Sequence, residues 1–314
     1  MKKSWNIGII GYTGMVGSEL ARIFETGAYG ILDISEIDVK IAYKRNSTEE
    51  IGNLKDCDVV FLATKDKASM DSAGEVLSAG ARVIDMSGAF RLDKESFEKW
   101  YGLEHTESEL LKEAVYGMPA LFREKIKDAR LVANPGCYAT SVILALNPIR
   151  DLVEGEATVV STSGNSGARK SVEEISDDWA YSYGHKHKHV PEMAKYSGVQ
   201  VNFTPVVLRS VFKGINTNIR VKLCARLAAM PDHDAVCELE NAIRSSYCDK
   251  DGVFIVHDSK EVSYGTKFVN DTNNMCIKIN VEDGYAYINS CLDNLGKGAA
   301  SQAVQNFKIM CGIE

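Results

Sequence analysis

The sequence predicts an α/β fold in two parts: a doubly wound parallel sheet, followed by an α+β domain built on a mixed, largely antiparallel sheet. Three observations predict it. Up to about residue 137, short apolar runs alternate with helical stretches, the pattern of a parallel sheet covered on both faces. A glycine-punctuated turn, GYTGMVG at 11–17, falls between the first such run and the first helix. Beyond about residue 156 the runs become β-rich, and the last two alternate with period two.

The elements follow in order. Residues 5–10 (WNIGII) read as a buried strand, and 18–27 as an amphipathic helix ending near Gly27. Strands are expected at 36–43, 57–64, 81–87 and 129–134, with a helical stretch running up to Gly80. Pro135 and Gly136 disfavour helix, after which YATSVILALNP resumes a helical pattern that Pro148 stops. In the second part, 157–163, 199–207, 215–223 and 275–281 read as strands. Ile215, Thr217, Ile219, Val221 and Leu223 share one face, and a hairpin turns at Glu282-Asp283-Gly284. A long helix at 294–310 closes the chain. The expected domains are 1–137, completed by the helix at 294–314, and 138–293, the latter for catalysis and oligomerisation.

Composition sets outer bounds. Among 314 residues, 36 Lys and Arg stand against 43 Asp and Glu, a net charge of −7. That disfavours a nucleic-acid partner, which needs a basic surface, but leaves room for a local anion pocket. The eight cysteines include no C-x-x-C pair or zinc-type spacing, so no metal is expected at them. Scattered cysteines, the absence of a secretory h-region and the lack of any apolar run near the roughly 18–20 residues of a membrane span predict a cytoplasmic protein without a membrane partner.

The chemistry-bearing residues fall at two ends of the pattern. At the first turn, Gly11, Tyr12, Thr13, Gly14, Met15 and Val16 lie where a dinucleotide fingerprint sits, with glycines that let backbone N–H groups approach a pyrophosphate. The second strand ends in IAYKRNS, where Lys44, Arg45 and Ser47 replace the acid that would hold a ribose 2′-hydroxyl. This favours NADP(H) over NAD. At the other end, Cys137 stands at or just before a helix N-terminus, where unpaired N–H groups and the helix dipole favour a thiolate. GHKHKHVPEM at 184–193 holds His185, His187 and His189, which would share a face in extended chain. Acid/base imidazole for a thiol nucleophile, a metal ligand set and a polar loop all remain open for them. Arg91 follows the fourth strand near the expected cofactor crevice, and Arg169 and Lys170 lie in a polar glycine loop; both suit anion binding.

Taken together, GIIGYTGMVGSEL, DMSGAFRL, VYGMPAL, ANPGCYATS, STSGNSGARKS, HKHVPEM, FTP at 203–205 and NLGKGAASQAVQNFKIM resemble the N-acetyl-γ-glutamyl-phosphate reductases of the semialdehyde dehydrogenase family. The resemblance covers almost the whole chain. It implies a Rossmann-type cofactor domain and NADPH-dependent reduction of a small acyl phosphate to an aldehyde, with release of inorganic phosphate, in a homodimer or homotetramer. By position it implies Cys137 as nucleophile, His187 or His189 as acid/base, and Arg91, Asn134 and Glu192 at the substrate. Ser163, Gly164, Ser166, Gly167 and Asn294 would join the fingerprint at the cofactor. The chain departs from the pattern in GYTGMVG, in Ala139 for the usual proline after NPGCY, and in FTPVVLRSVFKGINTNIRV, which lacks the usual histidine after FTP and carries polar residues where the family is apolar. An aspartate-semialdehyde dehydrogenase, a lysine-pathway acyl-phosphate reductase and a non-catalytic NADP-binding sensor are the alternatives.

Overall fold

The computed structural model describes residues 4–167 and 177–313. The chain divides into two compact units, residues 1–136 with 299–314, and residues 137–298.

The first unit contains β1 (Ser4–Ile10), α1 (Met15–Thr26), β2 (Asp38–Arg45), β3 (Glu50–Gly52), β4 (Val59–Leu62), α2 (Asp66–Ser78), β5 (Arg82–Asp85), α3 (Lys94–Tyr101), α4 (Ser108–Glu113), β6 (Val115–Tyr116), α5 (Pro119–Asp128) and β7 (Leu131–Ala133). They form one sheet in the order β3-β2-β1-β4-β5-β7-β6, parallel except where β3 folds back on β2. Ile7, Ile9, Val59, Val60, Phe61 and Leu62 are buried, as central strands covered on both faces require. β1 pairs with β2 on one side and with β4 on the other, so the strand order reverses there. A crevice for ligand opens at the carboxyl ends of such strands.

One face is covered by α1 and by the last helix of the chain, whose aromatic rings interlock. Phe307 lies 5.5 Å from Phe24, 6.1 Å from Phe61 and 6.4 Å from Trp5, mostly edge to face. Met70, Ala73 and Val76 of α2 pack on the opposite face with Tyr43 and Phe97.

The second unit holds α6 (Cys137–Leu146), β8 (Val153–Gly164), β9 (Trp179–Ala180), α7 (Val190–Ser197), β10 (Val201–Leu208), β11 (Ile215–Leu223), α8 (Ala225–Ala228), α9 (Asp232–Ser246), β12 (Val253–Ile255), α10 (Thr266–Val269), β13 (Met275–Glu282) and β14 (Tyr285–Leu292). Its sheet runs β12-β13-β14-β11-β8-β10-β9 and mixes parallel with antiparallel pairs. The expected alternation in β11 holds, with Ile215, Thr217, Ile219, Val221 and Leu223 all buried. The hairpin turns where expected: Asp283 and Gly284 both take positive φ, 51° and 75°, which matches a two-residue turn to the twist of β13 and β14. Residues 138–146 of α6 are buried all round. Ser141 Oγ meets Thr217 Oγ1 at 2.8 Å, and Thr217 also meets Ser161 Oγ at 2.8 Å, so the polar atoms under the helix satisfy one another.

Two helix starts differ from expectation. The first helix begins at Met15, because Gly14 accepts the Ser18 N–H at 2.8 Å and caps the turn directly. The last, α11 (Ala300–Cys311), begins six residues later than Asn294. Asp293 Oδ1 takes the N–H groups of Leu295 and Gly296, and its carbonyl takes that of Gly298, so 293–298 closes as a side-chain-capped turn.

Among the described residues no helix is long and apolar enough to cross a membrane. Phe307→Ala is expected to cost the first unit about 3–5 kcal/mol, read from the urea midpoint of its unfolding. A loss under about 1 kcal/mol would contradict the central place of this ring.

Candidate active site

In the first unit the turn from β1 to α1 is shaped by close backbone contact. Gly11 takes φ +88°, and a Cβ there would lie 2.4 Å from the Ala63 carbonyl oxygen; a Cβ on Gly17 would lie 2.2 Å from that of Gly11. Thr13, Gly14 and Met15 are exposed, Tyr12 and Val16 half-buried. The twelve-residue helix that follows has no side-chain cap and no acidic residue in its first turn. Backbone N–H groups at the positive end of a helix, beside a cradle that a Cβ would fill, fit the pyrophosphate of a dinucleotide.

The end of β2 carries the basic pair. Lys44 Nζ lies 5.8 Å over the Tyr12 ring and 3.9 Å from Glu25. The Tyr12 hydroxyl donates to the Glu49 carboxylate. Arg45 reaches the other face of the sheet, where Nη1 donates to Glu75 at 2.8 and 2.9 Å and Nη2 donates to Ser72 Oγ at 2.9 Å. Ser47 is exposed in the turn that Asn46 Oδ1 organises by accepting from Thr48 N and Glu49 N. Glu75 and Ser72 stand some thirty residues away on α2, where no local sequence pattern marks them.

Arg91 is buried in the turn after β5. Its Nε donates to the Asn134 carbonyl at 2.8 Å and its Nη2 to that of Met86 at 3.0 Å. The turn is fixed by two buried acids. Asp85 accepts from Ser87 N and Oγ, and Asp66 accepts from Gly88 N at 2.7 Å. Burial raises the Asp85 pKa against the opposing effect of those hydrogen bonds and of nearby Arg91. The Asn134 side chain donates to Ala299 O and accepts from Asn306 Nδ2, which also holds Gly117 O.

In the second unit Cys137 is the first residue of α6 and is half-buried. A Cβ on Gly298 would stand 2.8 Å from the Cβ of Cys137, so only glycine fits against the thiol-bearing residue. The next residue, Tyr138, presents its ring edge-on to both candidate imidazoles, with centroids 5.7 Å from His187 and 6.1 Å from His189. The histidine segment is a turn rather than extended chain, so the three rings do not share a face. His187 and His189 lie edge to face at 4.7 Å, both buried, while His185 is exposed and pairs with Glu156. His187 Nδ1 accepts the His189 N–H at 3.1 Å, which puts the proton of the neutral ring on Nε2. Enclosed by Tyr138, Tyr181 and Phe203, and near Lys188, His187 is held at a pKa of about 4, chiefly by burial. His189 stands at the N-cap of α7, and Glu192 in its first turn is fully buried. Among the described residues no three His, Cys, Asp or Glu side chains converge as metal ligands would.

Residues 163–167 are zipped to 211–214. Gly164 N, Asn165 N and Ser166 N donate to Gly214, Val211 and Phe212, and a Cβ on Gly164 would meet Phe212 O at 2.4 Å. Ser163 and Ser166 are buried and Gly167 is exposed. Asn294 ties both segments together, accepting from Gly214 N at 2.7 Å and donating to Ser166 Oγ at 2.9 Å. Arg169 and Lys170 lie outside the described residues.

Comparison with known proteins places the chain in a family. Residues 6–129 match the family described as semialdehyde dehydrogenase, NAD binding domain, and residues 137–294 match semialdehyde dehydrogenase, dimerisation domain. The chain is 36% identical to the N-acetyl-gamma-glutamyl-phosphate reductase of Clostridium novyi, over 98% of this chain and 96% of the relative. Over the same shares it is 33% identical to that of Thermus thermophilus. Among solved structures, aspartate semialdehyde dehydrogenase II of Vibrio cholerae superposes with a TM-score of 0.70 over 99% of both chains at 17% identity. The Candida albicans aspartate semialdehyde dehydrogenase, solved with NADP, gives 0.68 at 14% identity, over 98% of this chain and 99% of its own. The structural likeness establishes the shared fold, and the family matches and the sequence identities establish the lineage: the chain belongs to the semialdehyde dehydrogenase family, among the N-acetyl-γ-glutamyl-phosphate reductases.

Proposed function

We propose that this chain reduces N-acetyl-γ-glutamyl phosphate to N-acetylglutamate semialdehyde with NADPH, releasing inorganic phosphate, as a step of arginine biosynthesis. The observation that carries the proposal is Cys137 at the first position of α6, held against Gly298 in the unit that also pairs His187 with His189. Its sulfur attacks the acyl carbon, the acyl–phosphate bond breaks, and phosphate leaves a thioester on Cys137. NADPH, when bound, supplies the hydride that converts the thioester to a thiohemiacetal. Collapse of that adduct regenerates the thiol and frees the aldehyde.

Proton movement is assigned to His189. His187 is assigned the positioning of its neighbour, since its Nδ1 accepts the His189 N–H and burial lowers its pKa to about 4. Arg91, Asn134 and Glu192 are proposed at the substrate. Gly11–Val16, Lys44, Arg45, Ser47, Ser163, Gly164, Ser166, Gly167 and Asn294 are proposed at the cofactor, with Lys44 and Arg45 on the 2′-phosphate. The eight free thiols suit a reducing compartment, and the cytoplasm is the proposed location. Oligomerisation is assigned to the outer face of the second sheet. There Val160 and Tyr287 are exposed beside Arg220, which stacks 3.5 Å over the Tyr285 ring, around a cleft of about 390 Å³.

Run backwards, purified protein given NADP, phosphate and N-acetylglutamate semialdehyde is expected to form NADPH, and Cys137→Ser is expected to abolish it. Turnover with aspartate semialdehyde instead would favour that branch of the family, and no turnover with either would favour a cofactor-binding sensor. His189→Ala is expected to lower kcat by about 10²–10⁴, and His187→Phe by much less; the reverse ranking would exchange their roles. Because the folded pKa of His187 is depressed, its contribution is intact above the ordinary value of about 6.5. It is lost as pH falls toward about 4, since the unfolded chain then binds the extra proton. Thermal melts are expected to fall less steeply over that window in His187→Phe than in the parent, and identical slopes would contradict this.

A further inference from the structure

The two cations at the end of β2 are not equivalent. Lys44 has its nearest acid, Glu25, at 3.9 Å, whereas Arg45 is tightly held from α2. Glu75 takes two contacts from Nη1 at 2.8 and 2.9 Å, and Ser72, one helical turn earlier, takes Nη2 at 2.9 Å. Two of these bonds come from Nη1 and one from Nη2, which has a second N–H to give. The Nε–H takes no part in them, so the Nε–Nη2 edge keeps donors for a second anion. The Arg45 carbonyl accepts the Gly11 N–H at 2.6 Å, which fixes this arginine beside the fingerprint turn.

We infer that Glu75 sets the preference between the phosphorylated and unphosphorylated dinucleotide, acting through Arg45. This rests on the proposed 2′-phosphate role of Arg45. A carboxylate at 2.8 Å cancels much of the guanidinium's attraction for a second anion, while its hydrogen bonds keep the free edge in place. NADPH must therefore bind an arginine that is oriented but electrostatically tempered, and a nucleotide with a bare 2′-hydroxyl loses less by comparison. Glu75 is half-exposed and contributes nothing to the buried core, so its charge can be removed without unfolding the unit. Gln at this position preserves an acceptor for Nη1 and removes only the charge.

The test is calorimetric titration of NADP and NAD, with adenosine 2′,5′-bisphosphate and 5′-AMP as half-ligands, into the parent, Glu75→Gln, Arg45→Gln and the double variant. Glu75→Gln is expected to tighten NADP and the bisphosphate about five-fold, a gain that shrinks with added salt. It is expected to leave NAD and 5′-AMP within about two-fold and to have no effect in the Arg45→Gln background. An unchanged or reduced NADP-to-NAD ratio in Glu75→Gln, with Arg45→Gln still collapsing that ratio, would overturn the inference alone. If neither variant moves the ratio, the assignment of the 2′-phosphate to Arg45 falls with it.

Discussion

A methyl group at position 298 would come within 2.8 Å of the Cβ of Cys137 and within 2.9 Å of the Asn294 backbone. Much else in the second unit serves that contact. The turn from 293 to 298 bends sharply enough to bring glycine there because Asp293, fully buried, accepts the N–H groups of Leu295, Gly296 and Asp271 and is met by Lys213 at 3.3 Å. Asn294 then spends both ends of its amide on Gly214 and Ser166, so the turn, the strand start at β11 and the loop after β8 are locked to one another. Beneath them the hydroxyl seam of Ser141, Thr217 and Ser161 seats α6 on the sheet, which fixes the direction in which its first residue points. The nucleophile proposed at Cys137 needs this kind of support, since small displacements from a productive geometry cost rate steeply.

The first unit meets its own demand by the same physical means. Gly11 and Gly17 are there because backbone atoms approach to distances no Cβ allows, and the reward is an uncapped helix end open to an anion. A few residues further on, α2 restrains Arg45, the residue proposed to select the dinucleotide.

Much of this could be read in the residues. Strand and helix alternation, the glycine turn and the period-two pattern of β11 are local signals, and the elements they announce are present with boundaries shifted by a few residues. What local signals miss is side-chain traffic between distant segments. The start of α11 is not legible locally, because a run such as NLGKGAASQAVQ is helical in composition, and only Asp293's bonds to its own turn show why the first residues stay out of the helix. The three alternating histidines suggested a shared face, but Tyr138, Tyr181 and Phe203 enclose one ring and leave another in solvent, a distinction set by packing. The Glu75–Arg45 pair is invisible for the same reason: it joins residues thirty positions apart.

The central claim is that Cys137 carries the acyl group of a glutamyl, not an aspartyl, phosphate. It is tested most directly by mass spectrometry of the protein quenched in acid after mixing with N-acetyl-γ-glutamyl phosphate in the absence of NADPH. An N-acetylglutamyl adduct confined to the peptide bearing Cys137, lost in Cys137→Ser and discharged when NADPH is added, is the expected result. No adduct, an adduct on another cysteine, or acylation by aspartyl phosphate alone would contradict it.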